Sequence, residues 1–326
     1  MKKRVLSGMQ PSGRMHLGNL FGALNNWRKL QEEYDAYFFI ADWHALSTGY
    51  ADTSRIREYI REMLLDWLAV GMDPEKCTLF QQSKVLEHAV LHVLLSMITP
   101  IPWLERNPTY KEQQQEMGDR DLATYGFLGY PVLQAADILI YKAQFVPVGV
   151  DQLPHLELTR ELARRFNALY RSVLVEPSAL LTETPKILGI DRRKMSKSYG
   201  NAIYLSDSSD TTLKTVQKMI TDPLKIKKHD PGRPEVCNVF TYHTIFSEKN
   251  EVQQIDRDCR SGALGCVDCK TRMGKNLNAY LEPIRESRTE LVKKPKKLDE
   301  ILSGGSSQAR KVAQKTLEDV KEAMKI

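Results

Sequence analysis

Two stretches of this chain carry residue types suited to handling phosphate. The first is Gln10-Pro11-Ser12-Gly13-Arg14-Met15-His16-Leu17-Gly18-Asn19. It follows a strand-like segment and opens a helix-like one. Backbone N–H groups at a helix start attract anions. Glycines at 13 and 18 let phosphate approach the backbone closely, and His16 and Asn19 carry donors for its oxygens. The second is Lys194-Met195-Ser196-Lys197-Ser198, between Asp191-Arg192-Arg193 and Tyr199-Gly200-Asn201. Two lysines among small hydroxyls on a loop suit a triphosphate whose charge grows as pyrophosphate leaves. Singly, one reads as a plain strand-to-helix turn and the other as a solvated basic loop. The pair says more than either.

Two further groups bear on chemistry. Asp137 lies in an otherwise apolar run, Ala135-Ala136-Asp137-Ile138-Leu139-Ile140. A carboxylate there needs a partner or costs several kcal/mol; a capping or structural aspartate would meet that need too. Four of the five cysteines, Cys237, Cys259, Cys266 and Cys269, fall in one stretch, and only Cys77 lies apart. An odd count in a chain with no sign of export argues against a disulfide framework. The Cys-x-x-Cys turn at 266–269, with glycines before it, lets backbone N–H groups face sulfur or metal. Structural zinc sites usually have two such paired knuckles. One pair and two single cysteines suit a four-cysteine iron–sulfur site better. The reading is therefore [4Fe–4S], with zinc as the alternative and structure as the simpler purpose.

These groups need a frame. The spacing predicts a strand over Arg4 to Met9, a helix over Leu17 to Glu32 and a second strand over Ala36 to Ala45. Asp52-Thr53 caps a helix in which Ile56, Tyr59, Ile60, Met63, Leu64, Trp67 and Leu68 recur at helical spacing, closed by Gly71 and Pro74. Strands follow at Thr78 to Gln82 and Phe145 to Gly149, the latter leading into a helix from Asp151 to Tyr170. Alternating strands and helices imply a Rossmann-like, doubly wound parallel sheet, with ligands at the carboxyl ends of the strands. After Tyr204 the chain turns helical and basic. The fold class is α/β with a second, smaller helical domain: 1–205 catalytic, 206–326 helical. The stretch from Ser307 to Ile326 puts Ala309, Val312, Ala313, Leu317, Val320 and Met324 on one face, as a helix packing on the body of the protein.

Composition agrees with a globular protein: 326 residues, 42% hydrophobic, 27% charged, net +6. No apolar run reaches the length of a membrane span, and the basic N-terminus lacks a signal-type apolar stretch. The expectation is a cytoplasmic protein. The modest positive charge is compatible with a polyanionic partner but does not argue for one alone.

The two phosphate stretches resemble the paired signatures of class I aminoacyl-tRNA synthetases, which bracket ATP. The first usually ends in histidine, where this chain has Asn19, a residue common there in the tryptophan enzymes. Ser7-Gly8-Met9-Gln10-Pro11-Ser12-Gly13, Ala41-Asp42-Trp43-His44-Ala45, Tyr130-Pro131-Val132-Leu133-Gln134-Ala135-Ala136-Asp137-Ile138-Leu139 and Pro147-Val148-Gly149-Val150-Asp151-Gln152, running on to His155-Leu156-Glu157-Leu158-Thr159-Arg160, resemble the tryptophanyl-tRNA synthetases. The resemblance covers nearly the whole chain.

It implies activation of L-tryptophan by ATP with Mg²⁺ and transfer to tRNA(Trp), by a homodimer. It implies that Lys194 and Lys197, with Ser196 and Ser198, meet the pyrophosphate beside His16. Gln10, Pro11, Ser12, Gly18 and Asn19 would hold phosphates or ribose. Gly149, Val150 and Asp151 would lie on the ribose side, with Ile187 and the Met195 backbone at adenine. Asp137 would accept the indole N–H, Tyr130, Gln134 and Gln152 would hold the ammonium and carboxylate, and His44 and Leu6 would line the indole pocket. The cysteines resemble a bacterial branch of that family with a [4Fe–4S] cluster near the anticodon site, whose first two cysteines stand one residue further apart. Basic runs at Lys225-Ile226-Lys227-Lys228 and Lys293-Lys294-Pro295-Lys296-Lys297 would meet tRNA phosphates in part. The alternatives are a tyrosyl-tRNA synthetase, which shares the fold, and a binding-only paralogue that has lost catalysis.

Overall fold

The computed structural model describes residues 2–106, 124–181 and 187–326. Five strands build its sheet: β1 (Arg4–Met9), β2 (Asp35–Ile40), β3 (Cys77–Gln81), β4 (Phe145–Val148) and β5 (Ser178–Leu181). All pairs are parallel, in the order β3-β2-β1-β4-β5. Parallel sheets need both faces covered, and two apolar clusters do this. Val5, Phe38, Ile40 and Leu79 belong to one; Leu6, Tyr37, Phe39 and Phe80 belong to the other. That is why β2 reads as an unbroken apolar run.

The chain leaves β1 toward β2 on one side and reaches β4 on the other. Strand order therefore reverses between β1 and β4, and a crevice opens at their carboxyl ends. Gln10 and Gly149 are the first residues past those ends.

The helix expected over Leu17 to Glu32 runs to Glu33, but Leu20–Leu24 is wound as a π segment. The second strand is shorter than its apolar run suggests. It stops at Ile40, and Asp42–Gly49 is a helix (α1). Bonds from the last residue of β3 and the two after it cause this: Ser83 N–H and Gln81 Nε2 donate to the Asp42 carboxylate, and Gln82 Oε1 accepts from Trp43 N–H. Asp52 does not cap the next helix (α2, Ile56–Ala69). Its carboxylate takes the Ser54 N–H instead, forming a turn before it. Val150–Gln152 is a 3₁₀ turn ahead of the Leu153–Leu169 helix. β5 is short and half-exposed and carries no clear signal.

Past Leu205 the described residues hold no strand; beside a 3₁₀ turn at Pro234–Val236, their α-helices are Ser209–Gln217, Asn238–Phe246, Lys249–Ser261, Cys266–Val292 and Pro295–Met324. The last packs on the body, as its apolar face predicts; Ala309, Ala313 and Val320 are fully buried. It lies along edge strand β3. Gly305 permits the approach, since a Cβ there would stand 1.9 Å from the Leu79 carbonyl oxygen. Next to it, Gln81 N–H donates to Ser306 Oγ at 3.4 Å.

Candidate functional site

A cavity of about 360 Å³ lies at the crevice between β1 and β4. Leu6, Gln10, His44, Tyr130, Gln134, Asp137, Gly149 and Gln152 all line it. The sequence had scattered these eight over more than a hundred positions. Gly8 is needed in its floor, because a Cβ there would strike the Phe39 ring at 2.4 Å. A second hollow of about 510 Å³ shares Gln10 and is lined by Pro11, Ser12 and the segment from Ala45 to Tyr59.

Asp137 is the buried charge of the first cavity, 1% exposed. It is saturated by partners from three elements. His44 Nε2 on α1 lies 2.7 Å from Oδ2, and His88 Nδ1 lies 2.6 Å from Oδ1. Gln82 Nε2 donates to both oxygens at 2.9 Å. His88 Nε2 in turn meets the Tyr141 hydroxyl at 2.7 Å. Burial alone would raise the carboxyl's pKa, but the bonds from His44 and His88 outweigh it and hold it down at about 2. Asp137 is thus a true anion in an apolar wall. Gln82 and His88 were not foreseen. Each is a lone polar residue in a locally ordinary segment, and only the fold brings them to position 137.

Across the cavity, His155 stands between two of the expected residues. Its Nε2 is 3.1 Å from the Tyr130 hydroxyl and its Nδ1 is 3.0 Å from Gln134 Oε1. Burial, helped by nearby His44, lowers its pKa to about 4. The neutral ring therefore accepts from Tyr130 through Nε2 and donates to Gln134 through Nδ1. His155 lay within a quoted stretch, but the sequence suggested no role for it.

The first phosphate stretch forms a sharp turn with Gly13 at φ +109°. His16 then caps the following helix reciprocally with Asn19. This gives both side chains structural bonds: His16 Nδ1 accepts from Asn19 N–H, and Asn19 Oδ1 from His16 N–H. Burial, and then Lys197, lower the His16 pKa to about 4. The second stretch closes over the first. Lys197 Nζ donates to Ser12 Oγ at 3.1 Å, and Gly18 N–H points at Met195 Sδ at 3.4 Å. Burial lowers the Lys197 pKa to about 8. Ser196 and Ser198 share a hydroxyl contact of 2.8 Å, while Lys194 is exposed. Asn201, also unforeseen, organises this loop: its Oδ1 accepts from Ser196 N–H and its Nδ2 donates to Asp191 and the Lys194 carbonyl. Ile187 and Met195 are both buried. Val150 and Asp151 are exposed beside Gly149, and Gln152 Nε2 donates to Asp151 at 3.1 Å.

Comparison with known proteins decides the family. A family model described as class I tRNA synthetases (W and Y) matches residues 1–282. The tryptophan–tRNA ligase of Thermotoga maritima is 50% identical over 99% of both chains. That of Aquifex aeolicus is 48% identical over 99% of this chain and all of its own. The chain belongs to the tryptophan–tRNA ligases. A crystal structure of tryptophanyl-tRNA synthetase from Campylobacter jejuni, complexed with ADP and tryptophan, superimposes with a TM-score of 0.91 at 34% identity, covering 99% of this chain and 100% of that one. The parallel sheet is thus the Rossmann-like catalytic fold of class I, and the chain is an aminoacyl-tRNA ligase. Relatives that carry tryptophan in their names at full length set the tyrosine alternative aside.

For this tryptophan–tRNA ligase chain, the cysteine stretch needs a separate account. Among the described residues, no group of three or more His, Cys, Asp or Glu side chains stands in metal-holding geometry. The metal set Cys237, Cys259, Cys266 and Cys269 is in that sense not formed. The four thiols are nevertheless near enough to feel one another's charge. Cys269 is raised to about 12 by burial and then by Cys237, Cys259 and Cys266, and Cys237 and Cys259 are raised by burial with Cys266 adding to each. Val239 and Phe240 N–H groups aim at Cys237, which caps its helix, and Cys266 opens another. Cys259 Sγ lies so close to Gly232 that a Cβ there would approach it to 2.6 Å. Three soft donors at two helix N-termini, with Cys259 in the last turn of the Lys249–Ser261 helix, fit a thiolate-bound metal group in chemistry.

Proposed function

We infer that the protein activates L-tryptophan with ATP to the adenylate and transfers it to tRNA(Trp). The observation that carries the substrate is Asp137, an anion in an apolar cavity at the crevice between β1 and β4. A site built around an acceptor rejects analogues without the matching donor, by up to roughly 10⁴–10⁵ in favourable cases. All lone pairs of Asp137 are engaged, so the indole N–H takes its place by displacing one donor. His44, which lines the cavity while His88 is fully buried, is the one positioned to yield.

The tryptophan carboxylate attacks the α-phosphorus and pyrophosphate leaves; the terminal ribose hydroxyl of tRNA then attacks the adenylate. No protein nucleophile is needed. Rate comes from positioning and from offsetting charge. Tyr130, Gln134 and Gln152 orient the ammonium and carboxylate, with His155 bracing the first two. Lys194, Lys197, Ser196 and Ser198 take the charge of the leaving pyrophosphate. His16, Asn19, Gly18, Gln10, Pro11 and Ser12 seat phosphates and ribose, and Gly149, Val150 and Asp151 the ribose side. Ile187 and the Met195 backbone flank adenine once Met195 Sδ leaves the Gly18 amide. Mg²⁺ enters on ATP, bound mainly through phosphates and water. ATP–pyrophosphate exchange tests the reading. It should be strong with tryptophan and weak with tyrosine or phenylalanine; equal exchange with tyrosine would sink it, and no exchange at all would favour a binding-only paralogue.

Residues 206–326 form the tRNA anticodon-binding part, and its four cysteines hold [4Fe–4S], zinc being the alternative. Such a group would order the helices around it. Anaerobically purified protein should be brown, with about four irons per chain; one zinc and no colour would replace the claim, and metal-free, fully active protein would remove it. A homodimer has its interface on α3 (Glu87–Ser96) and the residues flanking it, as far as the start of the Ile101–Glu105 helix. There Leu86, Val90, Val93, Met97 and Ile101 make an exposed apolar stripe, 38–73% accessible. A cytoplasmic location suits work on tRNA. Among the described residues no helix is long and apolar enough to cross a membrane.

A further inference from the structure

One buried charge has no task in the account above. Asp66, on α2, is 0% exposed. Its Oδ2 accepts the Met15 N–H at 3.0 Å. Its Oδ1 accepts Arg288 Nε at 2.7 Å. Met15 sits in the nucleotide turn, one residue before His16 and two after Gly13. Arg288 arrives from the Cys266–Val292 helix and also pairs with Glu62. A buried ion pair is poor evidence for stability, because apolar residues of similar volume often do as well. Its placement is the informative part. The carboxylate joins the backbone of the first phosphate stretch to a helix whose first turn carries Cys266 and Cys269.

We propose that Asp66, anchored by Arg288, is a positioning residue for ATP activation: it fixes the Met15 backbone and so the turn that presents Ser12 and His16 to the phosphates. This rests on the reading of that turn and of Lys197 as the phosphate site. Its second effect is electrostatic. Burial lowers the Lys197 pKa to about 8, Asp66 opposes that, and Arg14 adds to it. The groups facing Lys197 are Ser12, Arg14 and His16 from the turn and Asp66 from α2, with Tyr59 of α2 beside Gly13. Arg288 and Glu62 stand behind Asp66. Without its anion, Lys197 gives up its proton at lower pH. The Cys266–Val292 helix thereby carries two of the cysteines in its first turn and, near its other end, the guanidinium that anchors Asp66.

The test is steady-state ATP–pyrophosphate exchange on the full chain with Asp66→Asn, Arg288→Met, Arg288→Lys and the double variant Asp66→Asn/Arg288→Met, beside Lys197→Ala. Asp66→Asn and Arg288→Met should lower kcat roughly 10- to 100-fold with KM for tryptophan unchanged. Arg288→Lys should recover most of the rate. The double variant should be no slower than Asp66→Asn alone, since both changes break one unit. In Asp66→Asn the alkaline limb of kcat/KM should move to lower pH. Normal kcat with an unmoved limb overturns the proposal, as does a loss fully accounted for by fewer active sites in a burst titration. Lys197→Ala at the parent rate would instead remove the phosphate-site reading itself, and the proposal with it.

Discussion

At Asp137, donors from α1, β3's end and α3 converge on one carboxylate, and every oxygen lone pair is engaged before any ligand arrives. At Lys197, one ammonium meets one hydroxyl, and a methionine sulfur stands on a glycine amide. The first region is buried, saturated and tied to the sheet. The second is a half-exposed loop organised by Asn201. A cavity that must tell one side chain from another gains from a fixed acceptor, because low dielectric makes an unmet bond costly. A region that meets a growing charge gains from lysines free to follow it.

The largest effect that would sharpen this contrast is at the loop. Lys197→Ala should cut the adenylation rate roughly 10²–10³-fold while tryptophan affinity stays near normal. A defect confined to affinity would make Lys197 a ground-state binder and dissolve the distinction. Next comes the carboxylate. Asp137→Asn should raise KM for tryptophan roughly 10- to 100-fold, the scale of hydrogen bonds to a charged group. It should also lower Tm, since His44, His88 and Gln82 lose their shared partner. Unchanged thermal stability would show that this region is not saturated in solution. The smallest effect is on stability against pH. His16 and His155 have folded pKa values lowered to about 4 from an ordinary 6.5. The unfolded chain therefore binds more protons between those values. This contribution is fully present above pH 6.5 and is lost as pH falls toward 4, roughly 1–2 kcal/mol per histidine between pH 7 and 5. Urea titrations at both pH values check it, and His155→Gln should flatten the dependence. Equal slopes would show that the His155 pKa does not differ between the folded and unfolded chain.

The two regions were also unequally legible in sequence. The phosphate turn and loop are local. Gly13, His16, Asn19 and the lysines lie within short runs whose residue types state their purpose, and strands β1, β3 and β4 fell within a residue or so of their apolar runs. Asp137 was visible as a misfit in an apolar segment. Its partners were not, because Gln82 and His88 stand 55 and 49 residues away and look ordinary where they are. The β2 run was over-read for the same reason, since Asp42 turns helical through bonds supplied by Gln81 and Ser83. Asp66 hid inside a helix with a good apolar period. Nothing at positions 60–70 announces a partner 222 residues on.

The edge of the sheet at β3 has a history as well as a geometry. Its cover, at Gly305 and Ser306, comes 225 residues after Gln81. At about 5–20 residues per second, a ribosome needs roughly ten to forty-five seconds to make that stretch. During that time the nascent chain carries an unpaired parallel edge, the kind of template on which other chains add strands. The window closes when a helix with no β-carbon at position 305 settles onto it. A side chain there would keep the helix off the edge, since its Cβ would meet the Leu79 carbonyl oxygen, and would show its cost as aggregation on or soon after the ribosome.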